Sequence, residues 1–154
     1  MVGFHLMECK VLVALADGNV VRDLVVTNGT VTLPIAASKV HVGLPYEAEL
    51  RTLDVDLGNV GELGTVQARN KAIANITLRV EKTRGIWAGP AEDALVELKQ
   101  REFENWSEAI RLATGDVELT PTADWTKGGT MIIKQFDPLP MTVLAIMPDL
   151  RVAA

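Results

Sequence analysis

The sequence predicts an all-β protein: an antiparallel β-sandwich or a partly open barrel, with at most one or two short helices. Short stretches alternate apolar and polar residues at a period of two, as in strands with one buried face. Turn signals such as Asp17-Gly18-Asn19, Asn28-Gly29 and Gly89-Pro90 separate these stretches about every ten residues. The first third of the chain shows no helical periodicity.

The length of 154 residues suits one domain, and we expect a single β domain over 1–154. Pro90 marks the weakest seam, where a boundary is possible but not favoured. The net charge of −5 argues against a surface that mainly grips phosphates. No apolar run approaches the ~18–20 residues that span a bilayer. The N-terminus lacks the basic and apolar regions of a signal peptide, which predicts synthesis in a cytoplasm.

The first third is predicted to be a β-meander. Lys10–Ala16 is apolar on both faces, which is typical of a central or covered strand. An Asp-Gly-Asn turn leads to a return strand over Val20–Val26. Asn28-Gly29 is the strongest hairpin signal in the chain, and it leads to a strand over Thr30–Leu33.

The stretch Lys39–Asp56 predicts a strand, a bend and a second strand. The bend is expected at Gly43–Tyr46, because glycine weakens a ladder and Pro45 lacks the N–H donor. Apolar residues that share one face before the bend are Val40, Val42 and Leu44. The apolar positions after it are Leu50, Leu53, Val55 and Leu57. The phase changes between Leu50 and Leu53, which predicts a bulge or a twist.

The second half is predicted to contain several more strands. They cover Ala74–Val80, Ile110–Leu112, Val117–Thr120, Thr130–Phe136 and Met141–Met147. Thr65–Ala72 is compatible with one helical turn, and Thr114–Asp116 is expected to break the chain. Ala91–Arg101 suits a helix or a strand, and its β neighbours favour a strand. Met141–Met147 is apolar on both faces, which predicts a position inside a sheet or burial at a subunit contact.

The chain has few residues that hold metals. His5 and His41 are the only histidines, and Cys9 is the only cysteine. Zinc sites need spaced Cys or His partners that this sequence lacks, so we expect no metal and no cofactor. We expect His41 to lie on the polar face of a strand and Cys9 to be a buried thiol.

No arrangement typical of catalysis is evident. Asp54 and Asp56 share a strand face and could hold a cation or act as an acid–base couple, but a solvated strand face is favoured. Glu92 and Asp93 form a second carboxylate pair. The glycines at 58, 61 and 64 lack the Gly-Lys-Ser/Thr of a phosphate loop. No GxSxG or HExxH motif is present, so we expect no enzyme activity.

Aromatic and basic side chains offer two further surfaces. The tryptophans are Trp87, Trp106 and Trp125. Such residues act more often as core or interface anchors than as a carbohydrate-stacking platform. Arg79, Lys82 and Arg84 cluster near one turn, where solvent exposure or a bridge to an acidic neighbouring subunit is favoured over contact with passing DNA.

Four blocks carry a resemblance to a known family: Leu15–Pro34, His41–Asp56, Asn70–Pro90 and Asp137–Val152. Within them, VGLPY, TRGIWAGP and DPLPMTVLAIMP are the most specific motifs in combination. In this order the blocks are similar to the C-terminal part of the tail nozzle, or tail tubular, proteins of short-tailed bacteriophages. The motif residues taken as structural are Gly43, Leu44, Pro45, Tyr46, Arg84, Gly85, Gly89 and Pro90.

The resemblance implies a structural subunit of a virion tail, made in the host cytoplasm and assembled in a ring through which DNA leaves. Its partners would be other copies of the chain and neighbouring tail proteins, with passing but no specific contact to DNA. It implies no catalytic residues. Because nozzle proteins are much longer, the chain is either a fragment or a small stand-alone tail protein. The alternative is a host-surface or glycan-binding β-sandwich module that uses the tryptophans.

Overall fold

The computed structural model describes residues 10–58, 65–101, 104–105 and 108–153. These residues form ten strands, and every pairing between the strands is antiparallel. The strands are β1 (Val11–Ala16), β2 (Asn19–Val25), β3 (Val40–Gly43), β4 (Ala48–Arg51), β5 (Lys71–Thr83), β6 (Trp87–Gly89), β7 (Val96–Glu97), β8 (Ala113–Leu119), β9 (Ile132–Gln135) and β10 (Val143–Val152).

Three antiparallel sheets make up the fold, in the strand orders β2-β1-β3, β10-β5-β8 and β4-β9-β6-β7. The only helical element in the described ranges is one 3-10 turn, Glu92–Ala94. The prediction of an all-β sandwich or partly open barrel is therefore confirmed. No helix in the described ranges is long and apolar enough to cross a membrane.

The described residues divide into two compact units. The first contains the residues up to Glu47 together with those from Arg101 to Arg111. The second contains those from Ala48 to Gln100 and from Leu112 onwards. Pro90 lies within the second unit, so the boundaries between the two units do not coincide with the possible domain boundary at Pro90 considered from the sequence. The expectation of a single domain stays a prediction.

The first unit is built around β1, the central strand of its sheet, as predicted. Its core contains Leu12, Ala14, Leu24 and Val26. Both predicted hairpin turns form, and their residues have positive φ: Asp17 (47°), Gly18 (83°), Asn28 (51°) and Gly29 (68°). The predicted strand Thr30–Leu33 is wrong, because Thr30 makes only an isolated bridge with Thr27.

The turn after β1 is held by a carboxylate. Asp17 accepts hydrogen bonds from the backbone N–H groups of Ser38 (2.8 Å) and Lys39 (2.7 Å). These N–H groups, led by that of Ser38, lower the pKa of Asp17 below its ordinary value of 3.8. Asp17 thus ties the β1–β2 turn to the chain entering β3.

This contact predicts an acid-dependent contribution to stability. A carboxyl group whose folded-state pKa is lowered stabilises the fold above its unfolded pKa, and the contribution is lost as pH falls through the folded value. Asp17→Asn tolerates the positive φ but has no charge to titrate. In urea unfolding, we expect the stability difference between wild type and Asp17→Asn to shrink as pH falls from 7 to below 3.8. A difference that stays constant over this range would contradict the assignment.

The second unit is organised around β5, which has 13 residues. Ile76, Leu78 and Val80 are buried on one face, as the alternation predicts. They share a core with Ala88 of β6 and Ile133 of β9, so the two sheets of this unit pack against each other. This packing is the sandwich-like part of the fold.

Several of the strands and turns predicted for the second half of the chain differ from those observed. Thr114–Asp116 was expected to interrupt the strand but lies inside β8, where Gly115 has a φ of 119°. Ile110–Leu112 is not a strand. A turn at 67–69 replaces the helical turn before β5. Ala91–Arg101 divides between the 3-10 turn and β7, so both readings hold over part of it.

β10 corrects the prediction for Met141–Met147. This strand runs on to Val152, and among the described residues it pairs with β5 alone, so it is an edge strand and not interior to its sheet. Pro148 lies within it, which an edge strand tolerates because one side of its backbone has no ladder partner. Burial of β10 at a subunit contact stays a prediction.

The stretch Lys39–Asp56 forms β3 and β4, as predicted, joined by residues 44–47 without regular secondary structure, but none of its apolar side chains is fully buried. Val40 and Leu44 are exposed, and β4 ends at Arg51. Backbone bonds from Thr52 to Met131 (2.9 Å) and from Val55 to Gly128 (2.9 Å) continue the pairing. A regular antiparallel ladder repeats every two residues. The two donors, Thr52 and Val55, are three residues apart. The side of the chain that faces the partner strand therefore changes between Thr52 and Val55, slightly later than predicted.

Candidate functional site

Two of the motif blocks meet in space. The turn after β5, Thr83-Arg84-Gly85, lies against the loop Asp137–Pro140 that joins β9 to β10. The N–H of Arg84 donates to the carbonyl of Pro140 at 3.2 Å. Gly85 has a φ of 71°, and a Cβ there would lie 3.0 Å from Cδ1 of Leu139. The turn therefore requires glycine for its backbone conformation and accommodates a larger side chain poorly.

Buried polar side chains complete this contact. Gln135 of β9 is 1% exposed, and its Nε2 donates to the carbonyl of Arg84 at 2.7 Å and to that of Pro140 at 3.5 Å. Thr83 is fully buried. Its hydroxyl accepts from the N–H of Thr142 (2.9 Å) and lies 2.9 Å from the carbonyl of Glu81, to which it can donate. Neither side chain retains a free polar group in the described structure.

Gln100 closes the other side of the turn. Its Nε2 donates to the carbonyl of Thr83 at 2.9 Å, and its Oε1 accepts from the N–H of Gly85 at 3.0 Å. We call this arrangement the polar joint; its residues are Thr83, Arg84, Gly85, Gln100, Gln135, Pro140 and Thr142. Buried polar groups that are all hydrogen-bonded rigidify a fold.

Arg84 and Gly85 are among the motif residues predicted to be structural. Thr83, although it begins the motif TRGIWAGP, was not predicted to have a role, and neither were Gln100 and Gln135. Gln135 stands in a strand pattern where a polar residue on the buried side is the available signal. Gln100 carries no such signal, because its partners lie 15 and 17 residues earlier in the chain.

The motif glycines at 43 and 89 lie in opposite environments. Gly89 is buried, and a Cβ on it would overlap the carbonyl oxygen of Ala94 in the 3-10 turn. Gly43 has no heavy atom within 4 Å of the corresponding position. Leu44 and Tyr46, which follow it, are both exposed. The VGLPY motif thus lies in open surroundings, whereas Gly89 is closely packed.

The tryptophans do not form one platform in the described structure. Trp87 is half-buried and meets Phe136 edge to face, with ring centroids 5.6 Å apart and an interplanar angle of 82°. Nζ of Lys134 lies 5.1 Å from the centre of the Phe136 ring. Trp125 is 52% exposed. Trp106 lies outside the described residues.

The two candidate carboxylates, Asp54 and Asp56, have different neighbours. Asp56 accepts from Nε2 of Gln67 at 2.6 Å and from the N–H of Gly58 at 2.8 Å, and these bonds lower its pKa. Asp54 instead lies beside Gly128. The expected shared face of Asp54 and Asp56 is therefore not formed, because the strand ends before them.

Other candidate residues are also separated. Glu92 pairs with Arg51 at 2.8 Å, while His41 is exposed on β3. Over residues 10–58, 65–101, 104–105 and 108–153, no three His, Cys, Asp or Glu side chains are grouped to hold a metal ion. His5, Cys9, Gly61 and Gly64 lie outside these ranges.

The basic residues near the β5 turn are not one exposed patch. Arg79 holds the carboxylate of Asp116 through two bonds, from Nε at 2.7 Å and from a terminal nitrogen at 2.9 Å. This pairing lowers the pKa of Asp116 and raises that of Arg79. Arg84 is buried, and only Lys82 remains exposed without a side-chain partner among the described residues.

A buried lysine, Lys71 at the start of β5, is the other unusual polar group and was not singled out from sequence. It is 1% exposed, and its Nζ donates to the carbonyls of Lys127 (2.6 Å) and Gln67 (3.3 Å). Its side chain packs against Gly129, where a Cβ would lie 3.3 Å from it. Lys71 therefore joins two loops of the second unit.

No protein-family model matches this chain, and no curated protein matches it significantly.

Proposed function

We propose that this chain is a non-catalytic structural subunit of a bacteriophage tail, a nozzle component that assembles with its own copies into a ring. The polar joint carries this proposal. Two motif blocks, TRGIWAGP and DPLPMTVLAIMP, meet there through residues more than fifty positions apart in sequence, and the buried side chains of Thr83 and Gln135 hydrogen-bond across the contact. Motif residues used in this way support a role in shape rather than in chemistry.

Exposed aliphatic side chains support association with other subunits. Ile35 is 74% exposed, Leu53 is 88% exposed and Leu144 is 60% exposed. Covering such side chains removes apolar surface from water and favours assembly. The net charge of −5 suits a conduit that releases DNA, because like charges do not bind.

The experiment is light scattering and electron microscopy of the purified full chain. We expect closed rings whose population rises with protein concentration. Leu53→Glu should shift the population toward single chains, because it places a charge where an apolar contact is proposed. Thr122→Glu adds the same charge at another exposed position and serves as the matched control. A chain that stays single at every concentration would refute the proposed assembly.

The glycan-binding alternative is favoured by one observation, the exposed ring of Trp125. Glycan-array binding by the same protein, lost in Trp125→Ala and retained in Trp87→Ala, would support it. Rings without glycan binding would favour the structural role.

A further inference from the structure

β10 is the longest edge strand in the described structure. It has ten residues, whereas the other edge strands have between two residues (β7) and seven (β2 and β8). An edge strand presents unpaired N–H and C=O groups that can pair with another strand. A long edge therefore offers a continuous surface for backbone hydrogen bonding.

The side of β10 that each backbone group faces follows from its ladder with β5. The N–H of Ala153 donates to the carbonyl of Asn70 at 2.9 Å, in continuation of this ladder. Backbone groups along a strand of an antiparallel pair alternate between its two sides. The register shift between Asp149 and Leu150 leaves the extra residue, Ala74, in β5, so the alternation along β10 continues through it. Those of Asp149 and Arg151 therefore face β5, and those of Leu150 and Val152 face outward. Pro148 also faces outward, so its missing N–H costs β5 no bond.

The outer side chains of β10 carry opposite charges two residues apart. Asp149 and Arg151 are both exposed, and neither has an ion-pair partner among the described residues. Side chains two residues apart lie on the same face of a strand. β10 thus carries a negative and a positive charge side by side, both available to a neighbour.

We propose that the free protein pairs with a second copy of itself through β10, in an antiparallel arrangement with the two-fold axis at Leu150. This register places Asp149 of each copy directly opposite Arg151 of the other, at the distance of a cross-strand pair. The two Leu150 residues exchange backbone hydrogen bonds, and Val152 of each copy donates to the carbonyl of Pro148 of the other. The two three-stranded sheets become one continuous sheet.

Charge complementarity selects this register over its neighbour. An axis at Pro148 would instead place Asp149 opposite Met147 and Arg151 opposite Ala145, with no charge pair. It would also place two prolines opposite each other, so that neither could donate. Charged residues often protect sheet edges, but a single-sign edge repels its own copy, whereas Asp149 and Arg151 attract it.

This pairing goes beyond the proposed function, because it concerns the free protein and does not depend on a tail role. The test is sedimentation velocity of the full chain over a wide concentration range. We expect a dimer whose dissociation constant rises at least about tenfold in Arg151→Glu, where two acidic residues face each other at both pairs. Lys99→Glu changes the net charge by the same amount at an exposed position in a loop away from β10. It should leave the dissociation constant of the dimer unchanged.

The swapped double variant Asp149→Arg with Arg151→Asp restores both pairs and should dimerise like wild type. A wild-type protein that stays monomeric would overturn the proposal, as would equal effects of Arg151→Glu and Lys99→Glu. Closed rings that form from wild type while no dimer appears at any concentration would overturn the β10 pairing and leave the proposed tail role intact.

Discussion

Gly89→Ala should lower the free energy of unfolding by about 2–3 kcal/mol, the upper part of the range of about 1–3 kcal/mol typical of overpacked cores. A Cβ at this position would overlap the carbonyl oxygen of Ala94 and would lie 2.9 Å from its carbonyl carbon and 3.1 Å from the Cα of Leu95. These are backbone atoms, so no side-chain rotation relieves the contact. The 3-10 turn must move away from β6, or β6 must leave its sheet. Equilibrium urea unfolding measures the loss.

Gly43→Ala is the matched control, because it is the same substitution at another motif glycine. Its Cβ would meet no heavy atom within 4 Å, and its backbone does not need a positive φ. We expect a change within about 0.5 kcal/mol. Similar losses in both variants would mean that the close approach at Gly89 does not determine stability there.

Lys71→Met should cost about 2 kcal/mol. Methionine is unbranched like lysine and only one atom shorter, but it cannot donate, so the carbonyls of Lys127 and Gln67 lose their bonds to Nζ. Bonds to a charged donor contribute more than neutral ones, and a buried acceptor left alone carries a penalty of its own. The loss should show in the midpoint of urea unfolding. Faster hydrogen exchange is expected at Thr126, whose N–H bonds the carbonyl of Lys71.

Lys127→Met removes the same charge while leaving the hydrogen bond in place. Only the carbonyl of Lys127 accepts from Lys71, and its own side chain is exposed. We expect it to behave like wild type within about 0.5 kcal/mol. If the two methionine variants lose equal stability, the buried bonds of Lys71 are not the cause.

The extent of successful sequence prediction follows the range of the interactions. The turn Asn28-Gly29 was predicted because its residues tolerate positive φ, which is a property of these two residues alone. The burial of Ile76, Leu78 and Val80 was predicted because alternation within one strand determines which side chains share a face. Prediction failed where pairing with a distant strand overrides the local preference of the residues. Thr114–Asp116 contains a glycine and was expected to be a break, yet pairing with β5 keeps it in a strand.

The candidate site was predicted only in part for the same reason. Arg84 and Gly85 came from a motif, but the motif does not tell what they contact. Gln135 is 51 residues from the carbonyl of Arg84 that accepts its hydrogen bond. The expected shared strand face of Asp54 and Asp56 is not formed, because β4 ends at Arg51.

By itself, the sequence determined that the chain is an all-β protein, where its hairpins turn and which face of β5 is buried, because these depend on residues that are near neighbours. Only the tertiary structure decided that β10 is an edge strand, that Lys71 is buried and that the motif turn is enclosed by glutamines. Each of these depends on which distant segments meet. Strand order and loop contacts bring those segments together, and no local pattern of side chains specifies them.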